Sequence, residues 1–217
     1  MVNRLPLFLV AAVIISMAHA AVARAEIDPW SKPLPTFPSG PQATLPSPDR
    51  RYELQNVDSD TQEPAHSIFL LDRKTGQRTL LYQYGRWVNV LWSPSSSAIV
   101  VNDFFGSDDS TSVLILVSPR LKRLNLWKLL LKSKAVTSKM RRDFQGYPVF
   151  KCAVGWFSAD RLVFRVAGFR EAGPTGFKNP FAYSFSYQLG ATFVLLETRE
   201  GAEQAADRPP RISESQS

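Results

Sequence analysis

The sequence predicts a mainly β protein made of about three repeated antiparallel sheets that form an incomplete ring, with one short helical insertion. Three observations carry this prediction. The stretch "VLWSPSSSAIVVND", Val90 to Asp103 with its first strand reaching back to Asn89, reads as an apolar strand, a tight Ser-Pro reversal and a second apolar strand. The same pattern recurs at Ser47 ("SPDRRYELQNVDSD"), Ser93 ("SPSSSAIVVNDFFGSDDS") and Ser158 ("SADRLVFRVAGF"). The first two units also share a later segment, "SIFLLDRKTGQRTLLY" and "SVLILVSPRLKRLNLW", which superposes Ser67 on Ser112, Arg78 on Arg123 and Tyr82 on Trp127. Repeats of this period, each holding several strands, are the signature of propeller blades.

In chain order, the first element is a leader. Arg4 precedes an apolar run from Leu5 to Met17, and small-x-small sites follow at Ala18 to Ala20 and Ala23 to Ala25. The pattern predicts a signal peptide over residues 1–25 and export to the periplasm or the extracellular space. The run is too short for a spanning helix, so no transmembrane anchor is expected. Residues 26–46 are rich in proline at short spacing, which excludes a helix or a central strand and predicts an extended arm.

The repeated domain follows over 47–199. Second strands are expected at Tyr52 to Val57, Ala98 to Asn102 and Leu162 to Val166; third strands at Ile68 to Leu71, Val113 to Val117 and Tyr183 to Tyr187, for roughly ten strands in all. After Arg123 to Trp127, expected as a fourth strand, "KLLLKSKAVTSKMRRDFQG" breaks the repeat. A helix over about 128–143 is expected there, buried on one side and shielding a sheet edge. Residues 200–217, polar and free of aromatics, read as a disordered tail.

The blade sequences resemble TolB-type β-propellers, whose turn usually reads Trp-Ser-Pro-Asp-Gly. The resemblance covers about residues 47–198 and implies a propeller scaffold without implying one activity, because such blades serve binding proteins and enzyme accessory domains alike. The turn glycine is replaced at Arg50, Ser96 and Arg161. A turn that tolerates ordinary residues is therefore expected at these positions.

The residue inventory thins the enzymatic routes. Of two histidines, His19 lies in the leader, leaving His66. The single cysteine, Cys152, sits in an apolar strand and reads as buried filler. No Gly-x-Ser-x-Gly elbow, Walker loop, dinucleotide fingerprint or Cys-x-x-Cys pair is present, and neither a cofactor nor a metal is expected. The acidic loops with Asp58, Asp60 and Glu63, and with Asp103, Asp108 and Asp109, fit no EF-hand spacing.

These readings lead to an exported, non-catalytic interaction module. Its contact residues are expected in loops at one rim of the sheets, Asp58, Asp60, Asp108 and Asp109. The expected partner is another protein or a cell-envelope component, not nucleic acid, with a second copy of the chain as one way to complete or cover the sheets. Two alternatives from other classes stay open. One is a small secreted hydrolase using His66 with Ser67 and Asp60. The other is binding to an anionic surface through the basic segment 120–142, which carries nine of the chain's 26 cations at a net charge of +7.

Overall fold

The computed structural model describes residues 34–37, 43–59, 61, 63–106, 109–117, 120–146, 148–170 and 180–200. The expected signal peptide, Trp30, Asp60, Asp108 and residues 201–217 lie outside them. Three antiparallel sheets follow one another along the chain, and they are not closed into a ring. The first blade holds β2 (Thr44–Pro46), β3 (Tyr52–Asp58), β4 (His66–Asp72) and β5 (Arg78–Tyr84). The second holds β6 (Val88–Trp92), β7 (Ala98–Asp103), β8 (Thr111–Leu116) and β9 (Lys122–Asn125), with β1 (Thr36–Phe37) added beside β6. The third is β10 (Val149–Trp156), β11 (Arg161–Phe169), β12 (Pro180–Gln188) and β13 (Phe193–Glu200).

The strand count exceeds the sequence expectation because the proline-rich stretch supplies two short strands. Thr36 and Phe37 pair with Asn89 and Val88, while Thr44 to Pro46 pair with Gln55 to Glu53. Both are terminal strands of their sheets, where a residue without an N–H is tolerated. Glu200, expected as the first residue of the tail, closes β13.

The stack is held by two apolar layers with the second blade between them. All six residues of β7 are buried, and they alternate: Ala98 and Val100 face the third blade, Ile99 and Val101 the first. That division is the period-2 rule of a strand applied to a sheet covered on both faces, which is why this strand reads as an unbroken apolar run. Each fully buried Val or Ile contributes about 1.5–3 kcal/mol. Leu54, Ile68, Leu81 and Tyr84 complete the layer toward the first blade; Phe164, Phe181, Tyr183 and Phe185 complete the other.

The helical insertion differs from the expected single helix. It is two helices, α1 (Leu126–Lys132) and α2 (Ser138–Asp143). Ser133 ends α1 by sending its backbone N–H to the Leu130 carbonyl, and the Thr137 side chain accepts from the Met140 N–H to start α2. The expected edge shield is also corrected. Leu126, Leu130, Val136 and Met140 enter the layer between the second and third blades, so the insertion fills space between sheets. Trp127, expected to end the fourth strand, lies in α1 with its ring edge-on to Phe144. The chain then passes close under β11: a Cβ on Gly146 would meet the Phe169 carbonyl oxygen at 2.1 Å, so only glycine fits.

The Ser turns correct a further expectation. Arg50 and Ser96 adopt φ of 59° and 58°, the left-handed conformation that glycine favours. The turns hold it through their first serine, whose Oγ accepts the N–H of Tyr52 in one case and of Ala98 in the other. At Ser158 the loop is one residue shorter, with Phe157 N–H bonded to the Arg161 carbonyl, and Arg161 has no positive φ. The turns also stitch the blades together. Asp49 N–H donates to Ser96 Oγ at 3.0 Å, and Ser95 Oγ donates to the Ala159 carbonyl at 3.0 Å. Arg50→Gly is expected to raise stability by about 1 kcal/mol, since relief of left-handed strain exceeds the added freedom of the unfolded chain. Ser96→Gly should gain less, because it deletes the acceptor for Asp49; urea unfolding of the two variants gives the order.

Candidate functional site

At the rim opposite the Ser turns, strand ends bring polar side chains together in pairs. Asp58, Asn56, His66 and Tyr84 sit on neighbouring strands because β3 pairs Asp58 with His66 and β4 pairs His66 with Tyr84. His66 Nδ1 lies 2.7 Å from Asp58 Oδ1, the imidazole stacks on the Tyr84 ring, and Tyr84 donates to Asn56 Oδ1 at 2.6 Å. The Asn56 amide donates to the same Asp58 oxygen. The His66 and Asp58 pair is therefore real, whereas Ser67 is the next residue along the strand and presents its side chain to the other sheet face. A relay through Ser67 is not formed.

Asp109 pairs with Lys151 and also receives the Ser110 N–H. Lys151 in turn lies over the Trp127 ring, 5.5 Å from its centroid. Of the four rim acids expected as contact residues, Asp58 and Asp109 thus have intramolecular partners, with 30% and 46% of their side chains still exposed. Asp60 and Asp108 lie outside the described residues.

Asp103, expected in the same acidic loop as Asp109, is instead buried at the end of β7. Its Oδ2 accepts from the Tyr82 hydroxyl at 2.8 Å, and its Oδ1 has no hydrogen-bond partner among the described residues. Burial pushes its carboxyl above the ordinary carboxylate range, against the opposing pull of the Tyr82 bond. Burial, then the neighbouring Asp103 charge, pushes the Tyr82 phenol up as well. Cys152 is buried with its thiol raised to about 12 by burial, which leaves it protonated and unreactive at neutral pH.

Tyr82 also belongs to a feature that sequence reasoning missed. Between β5 and β9, the terminal strands of the first two blades, runs a groove of about 400 Å³ lined by Leu80, Leu81, Tyr82, Gln83, Val113, Arg123, Leu124 and Asn125. Its walls are mostly apolar, and its polar groups sit at the ends. Arg123 Nη2 donates to the Leu80 carbonyl across one end. At the other, Asn125 donates to Thr111, which pairs with Asp103 in the sheet, so the groove opens toward the rim. The repeat alignment set Arg78 beside Arg123 and Tyr82 beside Trp127, but nothing in it shows that β5 and β9 face each other. That follows only from how the blades stack.

No family model matches the sequence, and no curated protein matches it. Similar solved structures include the β-propeller domain of the Trilobed protease from Pyrococcus furiosus, described as having an open velcro topology. It is 15% identical with a TM-score of 0.44, over 74% of this chain and 43% of that one. The acylaminoacyl peptidase of Pyrococcus horikoshii is 11% identical with a TM-score of 0.37, over 69% of this chain and 23% of that one. A putative 6-phosphogluconolactonase from Bacteroides fragilis is 13% identical with a TM-score of 0.29, over 73% and 56%. The chain thus spans between about a quarter and just over half the length of these proteins.

Proposed function

We propose that the protein is an exported, non-catalytic module that binds an extended polypeptide on a TolB-like blade scaffold. The observation that carries this reading is the groove between β5 and β9. Its volume accommodates a few side chains, its walls are apolar, and hydrogen-bonding groups of Gln83, Arg123 and Asn125 stand at its ends, the pattern of a recognition site more than of a reaction centre. Leu80, 37% exposed on one wall, offers apolar surface to an incoming side chain. Rigid sheets flanking it keep the site formed before the partner arrives, which lowers the entropic cost of binding. Asp58 and Asp109, half-open at the neighbouring rim, extend the contact, together with Asp60 and Asp108 from the same loops. Val194, Leu195 and Leu196, exposed on the terminal strand β13, give a second copy a place to add a strand.

Panning a random peptide library against the purified protein tests the groove. Enriched peptides with apolar residues in extended register are expected, and Leu80→Trp, which fills the groove from its exposed wall, should weaken them at least tenfold. Peptides indifferent to Leu80→Trp would place binding elsewhere. Turnover of an ester or peptide substrate that disappears with His66→Ala would replace the binding reading by the hydrolase one, for which the oriented His66 imidazole is the starting point.

A further inference from the structure

The helical insertion and the strand before it carry a charge of which the groove uses only Arg123. Between residues 120 and 146 the sequence holds nine cations and one carboxylate, Asp143. All nine cations, Arg120, Lys122, Arg123, Lys128, Lys132, Lys134, Lys139, Arg141 and Arg142, are exposed, while Asp143 is buried and bound by Arg170 and Tyr183. The single acid of the segment is thus withdrawn from the surface it would neutralise.

The apolar side of the same helices points the other way. Leu126, Leu130, Val136 and Met140 are locked between the second and third blades, so they cannot enter a bilayer as the apolar face of a free amphipathic helix does. Trp127 is half-buried against Phe144 and under Lys151, which removes it as a platform for stacking bases. What faces outward among the described residues is a spread of exposed cations. Over 126–143 lysines outnumber arginines four to two, and a lysine is a hydrated point charge suited to diffuse attraction.

From this we infer that the insertion is a docking face for the surface of an anionic lipid bilayer, held by charge without insertion. Docking does not depend on the groove reading. A cation close to anionic headgroups contributes about a factor of five to partitioning, so three of them contribute about 100-fold.

The test is co-sedimentation of the purified full chain with vesicles of phosphatidylcholine alone or with phosphatidylglycerol added. Binding should require phosphatidylglycerol and fall steeply as salt shortens the screening length. Lys128→Gln/Lys132→Gln/Lys134→Gln should bind about 100-fold more weakly. Arg50→Gln/Lys74→Gln/Arg86→Gln, which removes three exposed charges from outside the segment, should lose less than threefold. Sedimentation with phosphatidylcholine alone measures what the apolar leader contributes, and it is subtracted from every arm before the ratios are taken. Equal losses in the two triple variants, retained binding by the helical one, or capture by soluble polyphosphate or nucleic acid with none by anionic vesicles would each overturn the inference.

Discussion

Asn102→Ala should lower the unfolding free energy by about 3–5 kcal/mol in urea titration, more than removal of any other uncharged polar side chain in the stack. Asn102 is fully buried on β7, and its amide grips the backbone of the next blade at both polar atoms. Nδ2 donates to the Ala153 carbonyl at 2.7 Å, and Oδ1 accepts the Ala153 N–H at 2.9 Å and the Ser112 hydroxyl at 2.7 Å. Ser110 continues the seam by accepting the Lys151 N–H at 2.9 Å. These side chains satisfy the edge of β10, where among the described residues no strand pairs and only Asp109 forms a bridge, with Val149. Truncation leaves the Ala153 N–H and carbonyl buried without partners, at about 1–3 kcal/mol each. Asn102→Asp discriminates the bidentate geometry from mere size, because a second acceptor facing the Ala153 carbonyl repels it. An Asp variant as stable as wild type would show that the grip contributes little.

The repeat gives this prediction an internal control. With Ser47 placed on Ser93, Asn56 falls on Asn102. Asn56 does not grip a strand; its Oδ1 accepts from Tyr84 and its amide donates to Asp58. The edge it would have met, that of β6, is occupied by β1, with Val90 N–H donating to the Pro35 carbonyl. Asn56→Ala should therefore cost about 1–2 kcal/mol, the loss of one buried hydroxyl's partner.

This asymmetry also shows what the sequence could and could not reveal. The Ser turns and the second and third strands were legible because they are local, set by apolar alternation and turn chemistry within a few residues. β1 and β2 were not, since two- and three-residue strands in a proline-rich stretch carry no periodicity and exist only because β6 and β3 offer edges. The break between α1 and α2 had a local signal in Ser133 and Thr137, both good caps, but one helix over 128–143 satisfied the same apolar spacing. Left-handed Arg50 and Ser96 ran against residue preference and are held there by the serine hydrogen bonds of the turn. The groove had no signal at all, because its two walls are about forty residues apart and meet through packing. Asp58 and His66 were singled out individually, and their pairing follows from β3 and β4 register that the sequence did not specify.

The second large effect is expected at Asp143, the last residue of α2 and 6% exposed. Arg170 approaches it in the forked geometry suited to a carboxylate, Nε to Oδ1 at 2.8 Å and Nη2 to Oδ2 at 3.0 Å, and the Tyr183 hydroxyl donates to Oδ2. Three separate pieces of chain, α2, the end of β11 and the middle of β12, meet on this one carboxylate. Burial opposes its ionisation, but the hydrogen bonds from Arg170 and Tyr183 prevail and hold its carboxyl below the ordinary value; burial and the bond to Asp143 push the Tyr183 phenol up to about 12. Asp143→Asn keeps the shape and removes the negative charge that the partly buried Arg170 guanidinium faces, and should cost about 3–5 kcal/mol. The pH dependence follows in sign. With the folded value below the unfolded one, near 3.8, the stabilisation from Asp143 is complete above that pH and is lost as pH falls through the folded value. Asp103 acts oppositely: its folded value is raised, so its contribution falls as pH rises from about 3.8 through the folded value. Subtracting the Asp143→Asn stability curve from that of wild type cancels the Asp103 contribution and isolates the Asp143 one. The difference should be flat from pH 5 to 7 and shrink below pH 4. A difference that stays constant down to pH 2 would mean that the carboxylate charge is not what joins α2 to the third blade.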